Sequence, residues 1–177
     1  SRAFEEQLRR RNIPYQIVGG LAFYQRKEIK DLLAYLKLIV NPKDDISFER
    51  VVNFPKRGIG DRTIEELTSI ARASGTSLLE TAGMANQHAP LGTKAKSLMV
   101  FAALIEKHRA SADDKPVAVL VQDIVEELGL VQELLNEDKV IGQTKIENIE
   151  TFIEGISEYS THNPSSTLAQ YLADISL

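Results

Sequence analysis

The chain has 177 residues, 43% hydrophobic and 26% charged, with no Cys and no Trp, a composition that excludes disulfide scaffolds, Cys-based zinc sites and thiol nucleophiles. No run of about 18 apolar residues occurs, and Arg9, Arg10 and Arg11 are not followed by an apolar segment, so neither a membrane anchor nor a signal peptide is read and the default location is cytoplasmic. The formal charge of -4 hides an asymmetry: Ser1 to Arg62 holds 13 Lys and Arg against 8 Asp and Glu, whereas Thr63 to Leu177 holds 8 against 17, so any anionic contact is expected in the first part.

Ser1 can cap a short helix that carries Phe4 and Leu8 and ends at Asn12-Ile13-Pro14. Tyr15 to Val18 is β-prone and closes on Gly19-Gly20, the one convincing strand. It has no partner strand in the chain, so its unpaired backbone groups assign it to a sheet whose other strands lie elsewhere. With a first residue other than Met and an apolar last stretch, this reads as a piece of a longer protein.

From Arg26 the periodicity is helical, with Ile29, Leu32, Leu33, Leu36, Ile39 and Val40 in one stripe and Lys27, Lys30, Asp31 and Lys37 opposite. Asn41-Pro42 stops that helix. Asp44 or Asp45 caps the next, whose apolar positions are Ile46, Phe48, Val51 and Val52. A loop over Lys56 to Gly60 leads to a helix from about Asp61 to Ser74, which Gly75 closes. Helices follow over Ser77 to Ala85, Lys94 to Arg109, Val117 to Leu128, Leu130 to Asn136, Gln143 to Tyr159 and Thr167 to Leu177. In the longest of these, Ile146, Ile149, Ile153 and Ile156 form the expected buried row. The fold class is mainly α.

Several chemistries are missing. None of the ten glycines precedes a Lys, so the phosphate-gripping Gly-Lys step of a P-loop is absent, and Leu91-Gly92-Thr93-Lys94 reads as a helix start. His88, His108 and His162 lack metal-ligand spacing, and no Gly-x-Ser-x-Gly elbow occurs. Paired carboxylates such as Asp44-Asp45 and Glu65-Glu66 read as caps and solvated faces.

Phe54-Pro55-Lys56-Arg57-Gly58-Ile59-Gly60-Asp61-Arg62-Thr63 is the informative segment. Two glycines around one hydrophobic residue allow a tight hairpin between helices, with Ile59 plugging the gap. Without Cβ atoms, backbone N-H groups at the start of the second helix are open to an anion, and the helix dipole favours one there. Lys56, Arg57 and Arg62 supply cations beside it, and Thr63 a hydroxyl. This is the logic of a helix-hairpin-helix element that grips the nucleic-acid backbone without reading bases. The usual Pro-Gly-hydrophobic-Gly order is broken here by Lys56-Arg57, and the plain alternative is an interhelical turn with Gly at a helix end.

Ser1-Arg2, Glu5, Ile13-Pro14-Tyr15, Val18-Gly19-Gly20, Phe23, Arg26 to Asp31, Ala34-Tyr35-Leu36, Asn41, Asp44-Asp45, Asn53, Pro55, Arg57-Gly58-Ile59-Gly60 and Thr63 together resemble superfamily 1 DNA helicases of the UvrD, PcrA and Rep group, in the region after helicase motif IV. Gly142 to Ile149 resembles the same family, with Lys145 where Arg is usual. The resemblance implies that residues 1–20 are the trailing helix and strand of the RecA-like 2A motor subdomain and 21–177 the all-helical 2B accessory subdomain. It implies that Gly58, Ile59, Gly60 and Thr63, with Arg57 beside them, contact the duplex backbone. Lys56 and Arg62 are added on electrostatic grounds.

By the same resemblance the parent is an ATP-dependent 3′ to 5′ DNA helicase using ATP and Mg, whereas this chain carries no ATPase motif and is expected to hold no cofactor and catalyse nothing alone. Double-stranded DNA at the fork, the parent's own motor subdomains, and a protein activator or a second copy are the implied partners, with no membrane. A helical protein-interaction module and a freestanding helix-hairpin-helix DNA-binding protein are the competing readings.

Overall fold

A computed structural model of the chain describes residues 20–175. The expected N-terminal helix and the strand at Tyr15 to Val18 lie outside the described residues, as does the end of the last helix. The described residues are helical with no strand.

After a 3-10 turn at Gly20–Ala22 come α1 (Lys27–Val40), α2 (Asp45–Val51), α3 (Asp61–Ser74) and α4 (Leu78–Gly83). Two 3-10 segments, Ala85–Gln87 and Ala89–Lys94, fill the stretch between the expected helices and lead into α5 (Ala95–Ser111). Then follow α6 (Val117–Glu127), α7 (Leu130–Glu137), α8 (Lys139–His162) and α9 (Leu168–Ile175). The described residues form two compact units, one of Ala34–Ser111 and one of residues 20–33 together with 112–175.

Within the Ala34–Ser111 unit, α5 packs against α4 and both 3-10 segments, and α3 against α4. Its core holds Tyr35, Phe48, Leu67, Leu98, Phe101 and Ile105, all fully buried. Phe101 is the hub, meeting Phe48 edge-on at 5.4 Å and Tyr35 at 6.2 Å between ring centroids. Such ring pairs add about 0.5–1.5 kcal/mol each beyond the area they bury. Asp44 caps α2 by accepting from the Ser47 amide at 3.0 Å and its hydroxyl at 2.8 Å. Asp45 instead accepts from the Leu78 amide at 3.0 Å and so ties α4 to α2.

Three expectations change here. Ile46 is 84% exposed, because two residues from Phe48 is about 200° around a helix and places it opposite the buried Phe48, Val51 and Val52. Asp31 belongs to no solvated face: it is buried and paired with Lys27 at 2.8 Å. Glu28 is buried as well, since α1 is enclosed on nearly every side, with Ala34, Tyr35 and Leu38 buried beside the expected stripe. Val40, at the end of that stripe, is exposed.

In the other unit α8 packs against α6 and α7. Asp138 starts it four residues earlier than expected by accepting from the Val140 and Ile141 amides at 2.9 and 2.8 Å. Its buried row is Ile146, Ile149, Phe152, Ile156 and Tyr159, so Phe152 takes the place expected of Ile153, which is half-buried. Asn148 donates to the buried Glu28 carboxylate at 3.1 Å, joining the Gly142 to Ile149 stretch to the start of α1.

Tyr159 ties α8 to α9 by donating to Asp174 at 2.6 Å, and the Ser166 hydroxyl donates back to it at 2.6 Å. Its ring meets Tyr171 edge-on at 5.0 Å. Burial, reinforced by the Asp174 carboxylate, pushes the Tyr159 phenol up to about 12, and burial raises Tyr171 and Tyr24 in the same direction. A phenol raised in the folded state stabilises fully below its ordinary value near 10, and that contribution is lost as pH climbs through the folded value. Stability followed by circular dichroism is therefore expected to hold below about pH 10 and fall from there to pH 12. Tyr159→Phe is expected to shallow that fall, and an unchanged slope would show that the phenol does not drive it.

Candidate nucleic-acid interface

The segment between α2 and α3 folds as a turn held from inside. Asn53 builds it: its side-chain carbonyl accepts from the Arg57 amide at 2.7 Å and the Ile59 amide at 3.0 Å. Ile59 is 2% exposed and plugs the space under the turn. Gly58 stands at φ 74, the left-handed region where a side chain is strained, which is the physical demand for glycine at that position. The Phe54-Pro55 peptide bond is cis.

Gly60 is the N-cap of α3 in extended conformation, and no side chain caps the helix. The amides of Asp61, Arg62 and Thr63 are first-turn donors without an intrahelical acceptor. Lys56 and Arg62 are exposed and make no hydrogen bond or ion pair among the described residues. Thr63 is half-buried. The first turn of α3 also carries one carboxylate, Asp61.

The Arg57 side chain is engaged within the fold. One guanidinium nitrogen donates to the carbonyls of Val51 at 3.1 Å, Val52 at 2.9 Å and Phe54 at 3.1 Å, and the other to the Tyr35 hydroxyl at 3.0 Å. Its plane lies 4.8 Å from the centre of the Phe101 ring, at cation-π distance. Tyr35 donates in turn to the Phe54 carbonyl. The guanidinium thus satisfies the open carbonyl end of α2, where a cation also suits the dipole. Of the expected contact residues, the structure places Lys56, Gly58, Gly60, Arg62 and Thr63 on the outer side of the turn or at the α3 start. It turns the side chains of Arg57 and Ile59 inward.

Asn53 and Tyr35 organise the turn, and sequence reasoning assigned neither a role. The only available signal was an Asn placed four residues before an amide that needs an acceptor, which is common in turns. Among the described residues no group of three or more His, Asp or Glu side chains is placed to hold a metal ion, and no helix is long and apolar enough to cross a membrane.

The described residues are mainly helical, and a glycine-containing turn between α2 and α3 leaves backbone donors open at a helix start with cations nearby. The chain belongs to the UvrD-like helicase C-terminal domain family, whose model matches residues 1–177. It is 36% identical over its full length to the ATP-dependent DNA helicase PcrA of Bacillus subtilis, covering 24% of that protein. It is also 36% identical to DNA helicase II of Escherichia coli, over 99% of the chain and 25% of the relative, and 38% identical over 160 residues to DNA helicase II of Haemophilus influenzae. The chain therefore spans about a quarter of the length of these relatives.

Proposed function

We propose that residues 21–177 form the 2B accessory subdomain of an ATP-dependent 3′ to 5′ DNA helicase, that 1–20 belong to the edge of its 2A motor subdomain, and that the turn from Lys56 to Thr63 grips the backbone of duplex DNA. The observation that supports it is the open start of α3, where glycines leave the amides uncovered beside the uncommitted Lys56 and Arg62. Gly58, Gly60 and Thr63 offer backbone or hydroxyl donors to phosphate, while Ile59 and Arg57 hold the turn in shape. ATP and Mg act in the parent's motor, to which this chain supplies no P-loop glycine-lysine step. The parent's motor subdomains, a protein activator and a second copy are the further partners of this reading.

Phosphate contacts make binding tolerant of sequence and sensitive to salt. With about four phosphates engaged, log K against log salt is expected to fall with a slope of about -4. Gly58→Asp is expected to weaken binding at least tenfold. The new carboxylate repels phosphate, strains a left-handed position, and lies within reach of Lys94, whose ammonium is 3.2 Å from where a Cβ would stand. Titration of a labelled duplex at two salt concentrations reads this. Absence of binding at low salt, or binding indifferent to Gly58→Asp, would move the reading to a protein-interaction module.

A further inference from the structure

The 3-10 segment Ala89–Lys94 packs against α3 and delivers a second basic element to the same turn. Leu91 is 3% exposed and pins the segment to the core. Gly92, at φ 53 and ψ -130, breaks the helical path and redirects the chain, so that Lys94 stands at the mouth of α5. Its ammonium lies 3.2 Å from the point a Cβ on Gly58 would occupy. Glycine at 58 thus serves the backbone and leaves room for this cation.

Lys94 is exposed and has no hydrogen bond or ion pair among the described residues. The helix it precedes runs for 17 residues, has no acidic residue in its first turn, and carries Lys96 there. Carboxylates stabilise a helix N-terminus and cations oppose its dipole, so this charge pattern is unfavourable in the unbound chain. An anion held at this place would offset both the dipole and the cations. The opposing charge on the neighbouring first turn of α3 is the single carboxylate of Asp61, against Lys56 and Arg62.

We infer that Lys94 is a third phosphate-contacting cation, and that the Ala89–Lys94 segment and the Gly58 to Thr63 turn close on one stretch of duplex sugar-phosphate backbone as a two-sided clamp. This rests on the duplex contact proposed above. The clamp explains why an ammonium is parked over a glycine instead of being paired with one of the chain's many carboxylates.

The test is a salt series with the 177-residue chain and a short labelled duplex, read by fluorescence anisotropy. Lys94→Ala is expected to reduce the magnitude of the log K against log salt slope by about 0.9, one released counterion, while Lys94→Arg retains it. Lys37→Ala, which removes an exposed lysine of α1, is the charge-matched control and should leave the slope unchanged. Thermal stability of Lys94→Ala is expected to match or exceed that of the unsubstituted chain, because an unfavourable charge has been removed. An unsubstituted chain that binds with the expected slope while Lys94→Ala binds identically would overturn the clamp and leave the turn contact standing. Weaker binding accompanied by a lowered Tm would assign Lys94 a structural role and overturn the clamp too. No binding by the unsubstituted chain at low salt would overturn both.

Discussion

Arg57→Ala is expected to lower stability by about 3 kcal/mol while leaving the salt dependence of duplex binding unchanged. The guanidinium serves three main-chain carbonyls and the Tyr35 hydroxyl and stacks over Phe101. Hydrogen bonds to a charged group are worth about 1.5–3 kcal/mol each, but one group shared among several acceptors yields less than their sum. For a chain of this size, a loss of that order lowers Tm by about 6–12 °C. Arg57→Lys should recover less than half of it, because a single ammonium cannot span acceptors arranged for a planar fork. Thermal melts and a salt titration of the same variant read the two quantities independently. A slope reduced by about 0.9 with an unchanged Tm would make Arg57 a phosphate contact instead of an internal strut.

That residue shows where the sequence was legible and where it stopped. The helical order, the α3 limits at Asp61 and Ser74, and the closing Gly75 all follow from local signals: a 3.6-residue apolar period, Pro or Gly punctuation, and a left-handed helix end at φ 67. The glycine turn was legible for the same reason, since its demand on the backbone is local. The direction of a long side chain is not. Arg57 reaches back to α1 and across to Phe101, 22 and 44 positions away, and nothing within the turn distinguishes a guanidinium that points out from one that points in.

The same limit explains Asp31, Phe152 and Lys94. Periodicity marks which face of α1 carries charge, but whether that face meets solvent depends on what other segments cover it, and here they bury Asp31 and Glu28. In α8, Phe152 and Ile153 are neighbours about 100° apart around the helix, and the fold buries Phe152 while leaving Ile153 half-buried. Leu91 to Lys94 reads correctly as the approach to a helix, yet only folding brings it to Gly58, 36 residues earlier in the chain. The basic first part of the sequence therefore gains a cation from the acidic remainder, which a charge count along the chain assigns to the wrong side.

Gly142→Ala and Gly155→Ala, both in α8, are expected to change stability in opposite directions. Alanine exceeds glycine in helix propensity by about 1 kcal/mol, so propensity alone predicts that both variants stabilise. At Gly155 nothing lies within 4 Å of the added Cβ, and up to that gain is expected, with Tm higher by about 2–4 °C. At Gly142 the Cβ would meet the main chain of α7, 2.7 Å from the Leu134 carbonyl carbon and 3.1 Å from the Leu135 amide nitrogen. Those atoms cannot rotate aside, so α7 and α8 must separate and forfeit contacts along their length. Overpacking of this kind costs about 1–3 kcal/mol or more, and with rigid backbone on the receiving side the net loss is expected at about 2–3 kcal/mol and a Tm lower by about 5–10 °C. The displacement also pulls on Asn148, two turns along, whose amide holds the buried Glu28 carboxylate. Combining Gly142→Ala with Asn148→Ala should therefore cost less than the two changes measured separately, because each loosens the same junction between α8 and α1. Strict additivity, or a Gly142→Ala variant as stable as Gly155→Ala, would show that α7 does not approach α8 closely enough to demand a glycine.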